Sequence, residues 1–330
     1  MILLKKYKAI VYLPNLYAIL QFLLLNENKW EDILFLTHPG IDKKVSERIS
    51  DSYCLYTGRI DKYITLIKLF ILSVWNRGTS VYLGADLFYT NSFLRFFHKN
   101  IIYLEDGVAS YQCIYKKEKQ ILKKRSSFFM NLIWGPLYPW FGLAEQVSTI
   151  YLTAIFPVPD LIKKKVKVIS LKDLWVRKTI EKQQEIMYIF LLDNVNLNLF
   201  SQYDTLLITQ PFSEISNEKE ITEIEKIEIY RRLISNYDEA TIIIKPHPSE
   251  KTDYQKYFSK AYIFNEPCPL ELLVLLNCQI KRAITIYSTA IFNMGKDVEK
   301  IITGYSISPK LAKQAEVWGW SVINDKENYK

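Results

Sequence analysis

Three short polar motifs stand directly after apolar runs of this chain, and each carries residue types that do chemistry in enzymes. The sequence reads Glu-Asp-Gly at 105–107 after the run NIIYL, Lys-Pro-His-Pro at 245–248 after TIII, and Tyr-Ser-Thr at 287–289 after AITI. Such short apolar runs are typical of buried strands in a parallel sheet. Ligands of open α/β sheets bind beyond the carboxyl ends of the strands, so we expect a site at these three positions.

The Glu-Asp-Gly motif predicts a general base. A carboxylate held near a hydroxyl can take its proton, and Asp106 is the candidate for this role. Glu105 and Gly107 beside it are candidate contacts to a donor or an acceptor. Asp-Gly is also ordinary turn chemistry, and an aspartate often caps a helix, so these interpretations stay open at this point.

The other two motifs predict a site for a phosphate. The prolines on either side of His247 fix the backbone, and Lys245 and His247 can both donate hydrogen bonds to phosphate or base oxygens. Ser288 and Thr289 stand at a predicted helix start, where hydroxyls and free backbone N–H groups bind anions. An ordinary Ser or Thr N-cap has the same appearance in sequence.

Two further polar residues are candidate ligand contacts. Glu271 opens a predicted helix, where its carboxylate could accept both hydroxyls of a ribose; a first-turn acid that complements the helix dipole is the alternative. Gln210 follows the predicted strand DTLLIT and is a candidate contact to the donor or the acceptor, while Glu214 just beyond it could be a cap.

The motifs that are missing from the sequence narrow the chemistry. No Asp-x-Asp pair, GxGxxG, GxxxxGK[ST] or GxSxG pattern occurs, which argues against a metal bridge to a diphosphate, a dinucleotide site, a P-loop and a hydrolase nucleophile. The four cysteines are widely spaced and there are only three histidines, so a zinc site is not expected either. We therefore predict a site without metal or cofactor, in which Lys, His and hydroxyl groups stabilise a leaving phosphate.

Apolar runs and helical patterns alternate along the chain, which predicts two α/β domains in 330 residues. A proline- and lysine-containing stretch at 156–167 suggests a crossover linker, so the domains are expected at 1–160 and 161–330. Two Rossmann-like domains with a deep cleft between them form the arrangement called GT-B. Strands are predicted at 8–13, 32–37, 80–83, 100–104, 204–209, 240–244, 261–264 and 283–286, and helices at 64–75, 90–97, 221–237, 269–276 and 289–294.

The charge and hydropathy of the chain indicate its partners. The formal net charge of +8 suits an anionic substrate or surface, and no nucleic-acid-binding signature accompanies it, so no nucleic-acid partner is expected. The apolar stretch 9–25 is interrupted by Pro14, Asn15 and Gln21, which favours a strand, a turn and a helix over a membrane span. The stretch 128–143, which follows a basic run, predicts either a cap on the first domain or a patch that contacts a membrane surface.

Taken together and in this order, the three motifs resemble those of the bacterial sialyltransferases of GT-B type, in particular glycosyltransferase family 52. That class is marked by a D/E-D-G, an H-P and an S-S/T motif, matched here at 105–107, by His247-Pro248 and by Ser288-Thr289. The resemblance implies an inverting, metal-independent transfer of sialic acid from CMP-sialic acid, without a cofactor. The acceptor would be a surface glycan that ends in galactose, such as a capsular polysaccharide or a lipooligosaccharide.

The resemblance also implies a role for each matched residue. Asp106 would be the general base in an acceptor-binding first domain. In a donor-binding second domain His247 would face the CMP phosphate, Lys245 would lie against the cytosine or the phosphate, and Glu271 would hold the cytidine ribose. Ser288 and Thr289 would hydrogen-bond the phosphate, next to the Pro248 of the H-P motif. The implied location is the bacterial cytoplasm, with peripheral association with the inner face of the membrane as a hypothesis.

Three alternatives to a monosialyltransferase stay open. A polysialyltransferase would carry the same motifs with a longer basic groove. A CDP-glycerol-type capsule or teichoic-acid phosphotransferase also has a K-x-H-P segment and would use a first-domain histidine as base, for which His38 is the candidate. A nucleotide-sugar-binding subunit without activity is the non-enzyme alternative. The oligomeric state is not legible in the sequence, and a homodimer is compatible with it.

Overall fold

The computed structural model describes most of the chain. The described residues are 5–26, 32–49, 52–54, 59–85, 98, 100–107, 110–111, 142–215, 221–276 and 278–317. The helix predicted at 90–97 and nearly all of the segment 128–143 lie outside them. No helix among the described residues is both long enough and apolar enough to cross a membrane.

The first unit is built on a seven-stranded parallel sheet. Its strands run in the order β3-β2-β1-β4-β5-β6-β7, so the order changes direction between β1 and β4. All residues of β1 and β2 are buried, as expected for central strands of a parallel sheet. The elements are β1 Ala9–Leu13, α1 Leu16–Leu25, β2 Ile33–Thr37, α2 Lys43–Arg48, β3 Ser52–Cys54, α3 Arg59–Trp75, β4 Ser80–Leu83, β5 Ile101–Leu104, β6 Val147–Leu152, a 3-10 turn at Lys163–Lys165, β7 Val166–Val168, α4 Leu171–Arg177 and α5 Ile180–Ile189.

The second unit is built on a five-stranded parallel sheet in the order β10-β9-β8-β11-β12, with its change of direction between β8 and β11. Its helices and strands are β8 Thr205–Ile208, α6 Phe212–Ile215, α7 Glu223–Ile234, β9 Ile242–Lys245, β10 Tyr262–Ile263, α8 Leu270–Leu275, β11 Arg282–Thr285, β12 Glu299–Ile302 and α9 Pro309–Val317. Short 3-10 helices lie at Leu197–Gln202, Glu239–Thr241, Tyr254–Lys256, Thr289–Asn293 and Tyr305–Ile307.

The division between the units falls after Asp193, not after residue 160 as the sequence suggested. The stretch taken for a linker ends in β7, which pairs with β6 as the last strand of the first sheet. Helices α4 and α5 then contact α1 and α2 of the same unit, and the Lys178 ammonium donates to the carbonyl of Asn26 at 3.0 Å. Strand pairing and helix packing, rather than proline and lysine content, therefore set the boundary. The short segment Pro267–Pro269 also belongs to the first unit.

Local sequence signals explain where the elements next to the motifs begin. The side chain of Asn15 accepts a hydrogen bond from Ala18 N at 2.8 Å and so starts α1. Thr222 and Glu225 form a capping box that starts α7. Gly84 follows β4, and a Cβ there would lie 2.6 Å from both Pro14 Cδ and Ala18 Cβ, so only glycine lets the end of β4 approach the start of α1 so closely.

The predicted strands are all present, with their ends shifted by one or two residues, and the expected pair of Rossmann-like sheets is confirmed. The sequence missed β3, β6, β7 and β12. Three of these carry exposed or half-exposed residues, such as Glu299 and Lys300 in β12, and so lack the continuous apolar run that marks a central strand. The helix predicted at 289–294 is only the 3-10 turn Thr289–Asn293.

Candidate active-site residues

The first polar cluster lies where β1, β4 and β5 end. Asn15 follows β1 and Asp106 follows β5, and these strands lie on either side of β4, next to the change of direction in the sheet. The Asn15 Nδ2 group donates to Asp106 Oδ1 at 3.0 Å, while its Oδ1 caps α1. A crevice of this kind is where open α/β sheets bind their ligands. One short side chain thus links the start of a helix to the predicted base.

Asp106 has the properties of a proton acceptor near neutral pH. Its side chain is half-buried, and burial raises the pKa of the carboxyl to about 6, against the lowering effect of the Asn15 hydrogen bond. Its backbone N–H donates to Ser110 Oγ at 2.8 Å, which holds the turn that carries it. Gly107 follows with a φ of +53°, a conformation that suits glycine and directs the chain away from β5. A carboxylate with this pKa is a good general base.

Glu105, the neighbour of the predicted base, points into the unit. Its side chain is fully buried and accepts hydrogen bonds from Tyr111 Oη at 3.0 Å and from Thr153 Oγ1 at 2.9 Å. Its backbone exchanges two hydrogen bonds with the side chain of Gln21, at 2.7 and 3.0 Å. Burial raises the pKa of Glu105, and the hydrogen bonds from Thr153 and Tyr111 counteract this. The sequence analysis named Glu105 as a candidate contact to a donor or an acceptor. In the structure its hydrogen bonds fix the start of the loop after β5 to the rest of the unit.

The second cluster lies where β9 ends. Lys245 is the last residue of β9, is 7% exposed, and donates to the carbonyl of Glu266 at 2.9 Å. His247 is half-buried, and its Nδ1 accepts a hydrogen bond from Ser249 N at 3.1 Å, so the neutral ring carries its proton on Nε2. Burial lowers the pKa of His247 and Lys245 adds to this, while Glu250 opposes it. Pro248 is exposed. The imidazole therefore offers an N–H donor at neutral pH.

A buried charge network, formed by Lys226, Glu214 and Glu250, holds the histidine loop. Glu250 Oε2 accepts the backbone N–H of His247 at 2.7 Å and also a hydrogen bond from Thr209. Glu250 Oε1 lies 3.2 Å from the Lys226 ammonium, which is itself 3.0 Å from Glu214, and the side chains of Lys226 and Glu250 are fully buried. The sequence analysis missed this network. One signal for it was available: Lys226 stands beside Ile227 on the apolar face of α7, and a lysine that is buried needs a charged partner.

The hydroxyl motif follows β11. The Ser288 N–H donates to Thr285 Oγ1 at 3.1 Å, and Thr285 Oγ1 donates to the carbonyl of Ile208 at 3.0 Å, which ties β11 to β8 at the change of strand order. Ser288 stands at the cap position of the 3-10 turn Thr289–Asn293 without a side-chain capping bond. The predicted α-helix start is therefore absent there, and Ser288 and Thr289 are both half-buried.

The two remaining candidates are both largely buried. Glu271 lies in the first turn of α8, is 6% exposed, and accepts a hydrogen bond from Asn293 Nδ2 at 2.7 Å. That bond joins α8 to the turn after Ser288, so Glu271 does more than complement a helix dipole. Gln210 follows β8, is 7% exposed, and its N–H donates to Tyr230 Oη at 2.7 Å. Gln210, His247 and Ser288 thus follow three neighbouring strands at one edge of the second sheet.

Each of the other two histidines makes a hydrogen bond to the backbone. His98 is buried and its Nδ1 donates to the carbonyl of Thr79 at 2.9 Å, which is a structural role. His38 is exposed after β2, and its Nδ1 accepts from Gly40 N at 3.2 Å. Within the described ranges, no group of three or more His, Cys, Asp or Glu side chains is arranged to hold a metal ion.

Comparison with protein families gives a match over most of the chain. The model of glycosyltransferase family 52 matches residues 39–311, a range that contains all three motifs. A related sequence is an uncharacterized protein of Haemophilus influenzae, 36% identical over 269 residues, which are 81% of this chain and 82% of that protein.

Solved structures share the fold at low sequence identity. The 2,6-sialyltransferase of Photobacterium sp. JT-ISH-224, in a ternary complex with CMP and lactose, matches with a TM-score of 0.64 at 14% identity over 97% of this chain and 77% of that one. The α/β-galactoside α-2,3-sialyltransferase of Photobacterium phosphoreum matches with 0.59 at 12% identity over 98% of each chain. The GT-B domain of a Photobacterium damselae sialyltransferase matches with 0.59 at 12% identity, over 94% of this chain and 97% of that one. The predicted GT-B fold is thereby confirmed.

Proposed function

The chain belongs to glycosyltransferase family 52 and is a glycosyltransferase, and from this premise we propose that it transfers sialic acid from CMP-sialic acid to a glycan hydroxyl. The observation that carries the proposal is the placement of the three motifs. Each follows a strand at the carboxyl edge of its parallel sheet, with Asp106 in the first unit and the Lys-Pro-His-Pro and Ser-Thr motifs in the second. The similar Photobacterium structure with CMP and lactose supports the choice of donor and of a sugar acceptor.

Asp106 acts in this proposal as the general base on the acceptor. Its carboxylate takes the proton of the attacking hydroxyl while that oxygen bonds to the anomeric carbon of the sialic acid. The bond from this carbon to the phosphate oxygen breaks with its electron pair leaving on CMP, so the configuration inverts. A pKa of about 6 keeps the group ionised at neutral pH and still basic enough to accept a proton.

The residues of the second unit stabilise the departing phosphate. His247 donates from Nε2, and the positive charge of Lys245 lowers the energy of the CMP dianion. Ser288 and Thr289 add hydroxyl hydrogen bonds to the phosphate oxygens, and Pro248 restricts the loop. Glu271 contacts the ribose and Gln210 a neighbouring part of the donor. The donor has a single phosphate, so no diphosphate clamp is required. The leaving CMP has a second phosphate pKa of about 6, so its full protonation is not required either.

The finer features of the proposal follow from the same resemblance. The acceptor is a galactose-terminated glycan of the bacterial surface, as in a capsule or a lipooligosaccharide, and the reaction runs without metal in the bacterial cytoplasm. Asp106 is preferred over His38 as the base because Asp106 is half-buried beside Asn15, whereas His38 is exposed. This preference favours sialyl transfer over a CDP-glycerol-type reaction.

The test is turnover of CMP-sialic acid with lactose in the presence of EDTA, beside CDP-glycerol and a UDP-sugar as competing donors. We expect sialyllactose and CMP from the first donor only, with unchanged rates in the His38→Ala variant. A strict requirement for a divalent ion would refute the metal-free mechanism. Turnover of CDP-glycerol that depends on His38 would replace the sialyl assignment and leave the family unchanged.

A further inference from the structure

Asn293 joins two parts of the second unit that the proposed function assigns to different portions of one donor. Its Nδ2 group donates to Glu271 Oε1 at 2.7 Å. Glu271 lies on α8 and is the proposed contact to the ribose. Asn293 ends the 3-10 turn that starts at Thr289, next to Ser288, and these two hydroxyls are the proposed contacts to the phosphate. The bond from Asn293 therefore connects a sugar contact to the phosphate contacts.

The phosphate end of this turn is fixed to the sheet. The Ser288 N–H donates to Thr285 Oγ1 at 3.1 Å, and the Thr285 hydroxyl donates to the carbonyl of Ile208 at 3.0 Å. Ile291, in the middle of the turn, is fully buried. One end of the turn is thus held by β11 and β8, so the bond at its other end relates α8 to the two hydroxyls.

The apolar packing between α8 and the turn leaves a gap. Leu270 and Leu273 of α8 and Met294, which follows the turn, line a small apolar cavity, and all three are at most 6% exposed. Apolar contact is non-directional, and side chains that face a cavity lack part of their contacts, so this packing does not fix the orientation of α8. The hydrogen bond between Asn293 and Glu271 is directional and supplies that orientation.

The same bond suits a carboxylate that also binds a ligand. Glu271 is 6% exposed, and a carboxylate buried to this extent needs hydrogen-bond donors. A carboxylate has about four acceptor positions, and the Asn293 amide takes one of them, at Oε1. A bond from Asn293 is therefore compatible with acceptance of ribose hydroxyls by the same group.

We propose that Asn293 is a positioning residue that sets the spacing between the ribose contact and the phosphate contacts of the donor site; this inference rests on the proposed function. The ribose and the phosphate of a nucleoside 5′-monophosphate are joined covalently, so both are bound at once only if Glu271 lies at the matching distance from Ser288 and Thr289. Without Asn293, a nucleotide held by its phosphate meets a displaced Glu271 and loses the contact to its 2′-hydroxyl. Asn293 thus makes the site selective for ribonucleotides over 2′-deoxyribonucleotides.

The proposal is tested by calorimetric binding of CMP and of 2′-deoxy-CMP to the full chain. The two ligands differ only in the 2′-hydroxyl, so the ratio of their Kd values reports the contact of that hydroxyl. We expect the wild type to bind CMP at least about tenfold more tightly, because the deoxy ligand leaves a buried acceptor unpaired. Asn293→Leu removes the donor, and Asn293→Asp puts a second carboxylate beside Glu271. Each should reduce the ratio to about threefold or less.

Two further variants calibrate this ratio. Glu271→Ala removes the proposed ribose contact itself and should give the same low ratio as the Asn293 variants. Asn198→Leu is the matched control, because it makes the same exchange at an exposed position of another 3-10 helix of this unit, Leu197–Gln202. It should keep the ratio of the wild type.

A purely structural role of Asn293 gives a different result. A smaller folded fraction weakens the binding of both ligands by one common factor, so the ratio of the wild type would persist in the Asn293 variants. That persistence overturns the proposal, as does a failure of both variants to fold, or a wild type that binds CMP and 2′-deoxy-CMP equally well. A wild type that does not bind CMP at all would instead refute the proposed donor, and this inference with it.

Discussion

The loops after β5 and β9 hold their functional side chains in two different ways. Asp106 is held by one neutral hydrogen bond from Asn15, next to Glu105, whose buried carboxylate is satisfied by hydroxyl and backbone donors. His247 is held through its backbone by Glu250, whose charge is balanced by the buried ammonium of Lys226. Among the described residues the pKa of Asp106 is set by burial and by the Asn15 hydrogen bond, whereas the loop that carries His247 has a buried ion pair behind it.

The largest effect on turnover is expected from Asp106, the proposed base in the loop after β5. Asp106→Asn keeps the shape and the Asn15 contact but removes the proton acceptor, so kcat should fall by about 10²–10⁴-fold. Binding of CMP, measured by calorimetry, should be unchanged, because its proposed contacts are in the second unit. A variant that turns over normally would show that Asp106 is not the base.

The charge network should give the largest effect on stability. Lys226→Met leaves Glu214 and Glu250 buried without their cation, so the free energy of unfolding should fall by about 3–5 kcal/mol, measured by urea denaturation. Lys310→Met is the matched control, because Lys310 pairs with Glu225 at the surface, and it should cost at most about 1 kcal/mol. Equal losses in the two variants would show that the buried network stabilises the fold no more than a surface ion pair does.

Asp106 should also lower the stability of the first unit at neutral pH. Burial raises its folded pKa to about 6, above the value in the unfolded chain, so the native state favours the protonated form. Its contribution to stability is present at low pH and is lost as the pH rises towards 6. Asp106→Asn should therefore be more stable than wild type by about 1–2 kcal/mol above pH 6, after allowance for solvent screening, and equal to it below about pH 4. Urea unfolding at the two pH values measures this; a variant that is less stable at both contradicts it.

The smallest expected effect concerns Asn15. Its hydrogen bond lowers the pKa of Asp106, so removing the bond should raise that pKa further. Asn15→Ser keeps a side-chain oxygen to cap α1 but is too short to reach Asp106. The acidic limb of the kcat/KM profile should then move up by up to about one pH unit. A shift of the acidic limb to lower pH in Asn15→Ser would contradict a hydrogen bond from Asn15 that lowers the pKa of Asp106.

Much of the candidate site was visible in the sequence. The motifs at 105–107 and 245–248 follow strands that are buried on both faces, and a central parallel strand has a short apolar run that is recognisable without structure. The strands that the sequence missed, such as β7 and β12, are largely exposed, so their residues resemble those of loops. The helix expected after Ser288 is a 3-10 turn, because an N-cap signal does not fix how far a helix continues.

The sequence by itself determined the residue types and their order: a carboxylate after β5, a histidine between prolines after β9 and hydroxyls after β11. Only the tertiary structure decided which neighbouring groups set the burial and the hydrogen bonds of these motif residues. Glu105 and Asp106 are adjacent in the chain, yet one turns inward and the other stays half-buried. Glu250 and Lys226 are 24 positions apart and meet only when α7 packs on the sheet. Burial and long-range ion pairing depend on contacts between distant segments, and no local pattern of residues encodes those contacts.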